Sequence, residues 1–313
     1  MTGFINVYKE KGYTSHDVVA ILRKLAGTKK VGHTGTLDPN AQGVLPICVG
    51  RATKLSDYVM AARKTYVAEV ILGLTTDTQD ITGSVLSKSA SQVDTSVFAQ
   101  AATRFVGDIS QVPPMFSAIK VNGKKLYELA RKGEVVERKP RAVTIYDIQL
   151  LSATEAVLYG CETTENDHPA QPRFFINVDC SKGTYIRSLC ADIGDALGCG
   201  AAMGTLIRTQ SGSFSLESAV KLEELRERAQ KNELNEIIIP VETVLPYPRA
   251  LVSSDGLRMA MNGNALPDKA IHHNATTFPE KVWLYSEDNY LIGLFTRATD
   301  TLNEIKWRAE VMF

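Results

Sequence analysis

The sequence has no apolar run long enough to cross a bilayer; stretches such as Ile237-Ile238-Ile239 fall far short of the roughly 20 residues a membrane helix needs. Its start, Met1-Thr2-Gly3-Phe4-Ile5, lacks the basic and apolar regions of a signal peptide, so the cytoplasm is the expected location. Five cysteines, Cys48, Cys161, Cys180, Cys190 and Cys199, show no C-x-x-C spacing and leave an odd one over. That argues against both a zinc site and a disulfide framework and for reduced thiols. The histidine pair His272-His273 would point to opposite faces of a strand, a poor start for a metal site. No Gly-Lys-Ser/Thr follows Gly32 and Gly35, and no G-x-G-x-x-G follows a strand signal, so a nucleotide-binding loop is not expected. Neither sign of charge dominates: 35 Lys and Arg balance 35 Asp and Glu.

What is present fits an ordinary globular protein. A chain of 313 residues with 44% hydrophobic content can build one large domain and a small one. The neutral total hides an asymmetry, because residues 1–150 carry 20 Lys and Arg against 13 Asp and Glu, a balance of +7, which leaves −7 for the rest. Arg63-Lys64, residues 120–132 and Arg138-Lys139-Pro140-Arg141 concentrate the excess. Such clusters either face a phosphate backbone or form a solvated surface.

One loop stands out. In Gly32-His33-Thr34-Gly35-Thr36-Leu37-Asp38-Pro39, continuing Asn40-Ala41-Gln42-Gly43-Val44-Leu45-Pro46, two glycines permit backbone conformations closed to other residues. Pro39 fixes its own φ and drives Asp38 towards extended geometry, so the loop presents a single carboxylate. Such an aspartate is either a turn former or a reactive group.

This segment resembles the catalytic-aspartate motif of the TruB family of pseudouridine synthases. The resemblance extends in family order to Lys9 with Gly12-Tyr13-Thr14-Ser15-His16-Asp17, to Lys64-Thr65-Tyr66-Val67 with Gly73 to Gly83, to Cys180-Ser181-Lys182-Gly183-Thr184-Tyr185-Ile186-Arg187, and to Leu206-Ile207-Arg208-Thr209-Gln210-Ser211-Gly212. It covers roughly the first three quarters of the chain. In one departure, Lys9 is followed by Glu10 where the family usually has proline.

The resemblance implies an α+β fold: a pseudouridine-synthase catalytic domain over residues 1–245, with a mixed, mainly antiparallel central sheet flanked by helices. It also implies a basic RNA-gripping insertion at about 113–141 and a small β-rich PUA-like domain over 249–313. The implied reaction isomerises uridine 55 in the T-loop of transfer RNA, without metal or cofactor, through a uridine flipped out of its stack. Asp38, Arg187 and Tyr66 would form the catalytic set. Asp38 would be the essential carboxylate, its attack on C1′ or C6 or a glycal route being left open, and Arg187 would hold it ionised in a water-poor pocket. Tyr66 would also pack on the base, His33 would fill the space the base vacates, Tyr185 and Leu206 would line the pocket, and Asp80 and Lys9 complete the substrate-binding set. Flipping costs roughly a few kcal/mol, which aromatic stacking at ~1–3 kcal/mol per base can offset. The implied partner is transfer RNA, through T-loop and acceptor stem, with the protein a monomer needing no other protein. Two further readings share these features: a transfer-RNA-folding or RNA-binding protein with an idle site, and a guide-RNA-dependent synthase of ribosomal RNA.

Local patterns predict the framework. Residues 4–8 read as a strand, and Thr14-x-x-Asp17 as a capping box opening a helix with Val18, Val19, Leu22 and Leu25 on one face, ended by Gly27. Residues 65–72 alternate as a half-buried strand, and the Thr/Asp-rich turn after Gly73 predicts a hairpin from it to a strand at 84–86. Leu126, Leu129 and Ala130 give the stripe of a surface helix, residues 142–151 and 174–180 read as strands, and 161–173 as an exposed loop without chemistry. A charged, mostly helical stretch at 218–239 precedes Pro240, Pro246 and Pro248, which mark a boundary near Arg249. Short strands at 281–285, 290–295 and 304–311 then suggest a small β-barrel.

Overall fold

The capping box at Thr14 is present: the Thr14 hydroxyl accepts from the Asp17 amide at 3.1 Å and the Asp17 carboxylate accepts from the Thr14 amide at 2.8 Å. It starts the helix Ser15–Leu25, which turns Val18, Val19 and Leu22 inward. The computed structural model describes the chain except residues 122, 135, 164–167, 169, 274–278 and 300–303 and the side chains of 120 and 125. Lys120 and Lys125, two cations of the expected basic insertion, therefore lie outside the described side chains.

Among the described residues, nine strands form the central sheet. Seven run in the order Gly3–Lys9, Gln42–Val49, Ala201–Ser211, Lys64–Leu72, Arg173–Cys180, Arg141–Leu151, Gly107–Gln111, while Val31–His33 adds to the second and Phe214–Ser215 to the third. The sheet is mixed and mainly antiparallel; the parallel pair joins Gln42–Val49 to Ala201–Ser211 at Gln42↔Ile207 and Gly43↔Arg208. Helices Ser15–Leu25, Thr95–Thr103, Ile186–Ala196 and Leu222–Gln230 cover one face. Leu22, Phe98, Leu189, Ile193 and Leu225 pack there on Ala68, Val70, Ile176 and Val178.

That parallel contact explains Gly43. A Cβ there would lie 2.2 Å from the Arg208 carbonyl oxygen, and φ is +101°. Gly43→Ala is expected to lower stability by about 2–4 kcal/mol through backbone strain and lost pairing beneath the Asp38 loop, measured by urea unfolding.

Three local expectations need correction. The Lys64–Leu72 strand is buried on both faces, because helix Ala153–Leu158 and Cys161 cover the side that carries Val67. The hairpin after Gly73 does not involve that strand; it joins Leu74–Thr76 to Val85–Lys88 as a separate ribbon, since both edges of Lys64–Leu72 are taken by neighbours in the large sheet. The segment 161–173, part of which lies outside the described residues, begins with fully buried Cys161 and ends at Arg173, paired at 2.7 Å with buried Glu69.

At Arg249 a second sheet begins, ordered Leu266–Pro267, Ile305–Met312, Leu291–Thr299, Lys281–Tyr285, Arg249–Val252, Ile271–His273, with helix Ser254–Met261 against it. This β-rich unit has its own core around Val252, Leu284, Phe295 and Trp307. It also shares a second core with the first unit, where Trp283, Leu294 and Val311 meet Phe4, Val44, Val59 and Phe214. The Trp283 indole donates to the Leu245 carbonyl at 2.8 Å across that seam. No helix among the described residues is long and apolar enough to cross a membrane, and the five cysteines are free thiols.

Candidate active site

The Asp38 loop is built from three sides. Below it lies Lys9, with no exposed surface, whose ammonium donates to the carbonyls of Tyr13 (2.6 Å), Pro39 (3.0 Å) and Glu10 (3.1 Å). Beside it, the Ser15 hydroxyl accepts from the Leu37 amide at 2.9 Å. Behind it, Arg208, 1% exposed, donates from Nε to the Val44 carbonyl (2.7 Å) and from Nη2 to the Gly35 carbonyl (3.2 Å). A helix cap, a strand end and a distant strand together fix one carboxylate.

Arg187 meets that carboxylate, Nε to Oδ2, at 3.0 Å. It occupies the first turn of helix Ile186–Ala196, is 4% exposed, and is aimed by two carbonyls: Nη1 donates to Thr78 (3.0 Å) and Nη2 to Phe116 (2.8 Å). Asp80 lies on its far side, Oδ2 3.6 Å from Nη1, with Oδ1 accepting from the Thr78 hydroxyl and the Thr82 amide, each at 2.9 Å. One guanidinium thus sits between two carboxylates.

The Asp38 carboxylate is walled by protein yet open at the front, keeping 42% of its side-chain surface. Burial pushes its carboxyl above the ordinary range; Arg187 opposes the rise, Asp80 adds to it and Lys9 opposes it. Burial also draws the Lys9 ammonium down to about 8, against the pull of Asp38.

The aromatic residues stand on the elements that border the Asp38–Arg187 pair. Tyr66 lies opposite Arg208 in the ladder, and its phenol is pushed up by burial against the pull of the Arg208 charge. His33 ends the strand Val31–His33 edge-on to His16, ring centroids 5.3 Å apart. Burial, helped by His16 and Arg208, lowers its pKa to about 4, so the ring is neutral at pH 7, with Nδ1 accepting from the Gly35 amide at 3.4 Å. Tyr185 caps helix Ile186–Ala196 and is locked by Gln111, whose side chain accepts from its amide (3.0 Å) and donates to its carbonyl (3.2 Å). Leu206, 7% exposed, lies on the strand next to Tyr66.

Of the residues expected from sequence to share a site, Asp38, Arg187 and Asp80 are in direct contact; Tyr66 and Tyr185 lie close enough to feel the Asp38 charge, His33 leads into the Asp38 loop, and Leu206 stands on the strand paired with that of Tyr66. Lys9 is different: its ammonium donates to three backbone carbonyls under the loop, so it holds Asp38 in place from below rather than reaching into the cleft. Two further residues join the site: Arg208, which stands in the Leu206 to Gly212 block but has no role assigned from sequence, and Gln111. The signal for Arg208 is a cation in an apolar strand run; Gln111 has no local signal. Lys9→Met is expected to cost about 2–3 kcal/mol in urea melts, because three carbonyls lose a charged donor.

Comparison with known proteins agrees with this architecture. The TruB family pseudouridylate synthase N-terminal domain model matches residues 23–186, and the tRNA pseudouridylate synthase B C-terminal domain model matches residues 187–246. The tRNA pseudouridine synthase B of Clostridium novyi (strain NT) is 46% identical over 299 residues, 95% of this chain and 96% of that protein. That of Halalkalibacterium halodurans is 43% identical over 298 residues, 94% and 92% of the two chains. Among solved structures, a chain from a Cbf5–Nop10–Gar1 complex superposes with TM-score 0.69 at 28% identity, covering 99% of this chain and 84% of that one. A chain from an H/ACA RNP bound to a substrate RNA containing 2′-deoxyuridine gives 0.68 at 25%, covering 99% and 84%. Fold, site and likeness together define a pseudouridine synthase. Within that class, the chain belongs to the TruB family.

Proposed function

We propose that this enzyme isomerises uridine 55 in the T-loop of transfer RNA to pseudouridine, acting alone in the cytoplasm without guide RNA, metal or cofactor. The observation that carries the reading is the Asp38 carboxylate held 3.0 Å from a buried guanidinium at an open cleft, in a chain whose relatives at 41–46% identity bear the name tRNA pseudouridine synthase B. The reaction cuts the N1 glycosidic bond, rotates uracil and rejoins it through C5, with no net hydrolysis or redox change, so one ionised carboxylate suffices. Arg187 favours that ionised form, while the open front leaves room for a flipped nucleotide. Tyr66, Tyr185 and Leu206 would enclose the uracil, and neutral His33 would pack where the base had been, adding no charge to the stack.

The RNA would reach the cleft across the basic first half. Arg63, 63% exposed, lies 3.6 Å over the Tyr146 ring, and the insertion that supplies Phe116 to Arg187 continues through the cations around Arg138. The β-rich C-terminal unit, fixed to the first by the shared core, would meet the acceptor stem as a PUA-like domain. The likeness to chains from the Cbf5–Nop10–Gar1 complex and the H/ACA RNP, at 25–28% identity, is weaker than that to the relatives named tRNA pseudouridine synthase B at 41–46%.

The test is tritium release from unmodified transfer RNA carrying C5-labelled uridine, beside the same RNA with cytidine at position 55. Release from the first alone is expected. Equal release from both would move the target elsewhere, and RNA binding without release from either would favour a folding or binding protein.

A further inference from the structure

The strand Ala201–Ser211 changes face in mid-course. Met203 pairs with Val70 and Leu206 with Ala68, so two residues, Gly204 and Thr205, stand opposite one, Glu69. This is a β-bulge, and its consequence is geometric. Side chains alternate along a strand, so one extra residue exchanges the faces of those that follow, here as far as a second register shift between Arg208 and Gln210. Ala201 and Met203 point to the helix-covered face before the bulge; Leu206 points there after it, and Arg208, two residues on, reaches Tyr66 and the Asp38 loop on that side. Without the bulge, Leu206 and Arg208 would face the opposite side, among Val67, Cys161 and Phe175.

The bulge is secured from that opposite side by an acid outside the cleft. Glu69 is fully buried; its Oε2 accepts from the Thr205 amide at 3.0 Å, and its Oε1 accepts from Arg173 Nη1 (2.7 Å) and the Thr163 hydroxyl (3.1 Å). The extra residue's N–H, which a regular ladder would pair, is satisfied by this carboxylate. Gly204 is shaped to it, since a Cβ there would lie 2.1 Å from Glu69 Oε2. The Thr205 hydroxyl donates to the Glu162 carbonyl at 2.8 Å, closing the bulge from outside. Immediately before the bulge, Met203 exchanges hydrogen bonds with the Asp80 turn: its amide donates to Gln79 and its carbonyl accepts from Ile81, both at 3.0 Å.

We propose that Glu69 is a positioning residue for isomerisation: it clamps the Gly204–Thr205 bulge from the back of the sheet and so sets the register that delivers Leu206 and Arg208 to the cleft. The kinetic part rests on the pseudouridine-synthase reading of the Asp38 site; the register part does not.

Removing Glu69 alone would take from Arg173 its carboxylate partner at 2.7 Å, so the test uses two double variants. E69L/R173L replaces the ion pair by apolar groups and removes the Thr205 acceptor. E69Q/R173M removes the charges but keeps an amide oxygen for Thr205 and an NH₂ for Thr163. Each is compared with wild type by thermal melting, by hydrogen exchange of the 201–211 strand, and by tritium release at varied RNA concentration. The expected result is that E69L/R173L melts within a few degrees of wild type, exchanges faster over residues 205–208, and loses at least about tenfold in kcat with KM unchanged, whereas E69Q/R173M restores both exchange and kcat. A folded E69L/R173L with wild-type exchange and kcat would overturn the proposal, as would equal losses in both variants. A wild type that releases no tritium would remove the functional reading by its own failure, and the exchange data would then judge the clamp alone.

Discussion

Asp38→Asn is expected to abolish tritium release, by at least about 10⁴-fold in kcat, while transfer-RNA affinity stays within about threefold of wild type. The amide has nearly the shape of the carboxylate and leaves the loop anchors Lys9, Ser15 and Arg208 untouched. It has neither the negative charge nor the basicity to attack the sugar or base or to take a proton. Removing a negative charge from a cleft that receives a polyanion does not weaken encounter. Stability should change little, because two effects oppose. The folded state raises the Asp38 pKa, so it binds that proton more tightly than the unfolded chain. Stability from this group is thus fully present below the ordinary carboxylate pKa and falls as pH rises through the raised one, a loss that Asn removes. Against it, Arg187 loses its 3.0 Å carboxylate partner and keeps Asp80 at 3.6 Å with the carbonyls of Thr78 and Phe116. Gel-shift binding, urea unfolding and tritium release on one preparation separate these terms. Binding and release both retained would show that Asp38 is not the reacting group.

Arg187→Met should reduce kcat by about 10²–10³-fold, the range found when a preorganised electrostatic partner is removed from a reacting centre. Its distinguishing mark is pH. Burial already raises the Asp38 carboxyl, Asp80 raises it further, and Arg187 is the largest influence holding it down. Without the guanidinium the carboxylate protonates at higher pH, so the acid limb of kcat/KM moves upward and part of the lost rate returns as pH rises. Stability falls by about 2–4 kcal/mol, because the carbonyls of Thr78 and Phe116 lose their donors in a buried place. Arg187→Lys keeps the charge but cannot span Thr78, Phe116 and Asp38 at once, so it should restore the acid limb more fully than the rate. An acid limb that does not move in the Met variant would show that Arg187 does not control Asp38 ionisation.

Both variants concern residues that the sequence singles out. Asp38 and Arg187 stand in recognisable segments, where Gly35 and Gly183 take positive φ that other residues avoid and Pro39 fixes its own, which leaves a readable pattern. The same holds for the capping box at Thr14 and for four of the nine strands described in the large sheet, those read at 4–8, 65–72, 142–151 and 174–180. Other features escape a local reading because they depend on what lies against them. Lys9 follows a strand, where most lysines are solvated, yet the folded chain surrounds it with carbonyls. Period-2 alternation at 65–72 predicts one wet face, yet helix Ala153–Leu158 closes over it. The proline-marked boundary near 249 gives no hint that Trp283 and Val311 share a core with Phe4 and Val44.

The sequence by itself determined which groups could react and where the chain turns, because turn chemistry, capping and periodicity act over a few residues. Tertiary structure decided how those groups are charged and aimed. The 3.0 Å ion pair between residues 149 positions apart, the neutral state of His33, the burial of Lys9 and the bulge that turns Leu206 and Arg208 to the cleft all arise from segments far apart in the chain. Burial and electrostatic coupling depend on distance in space, which local sequence patterns do not encode.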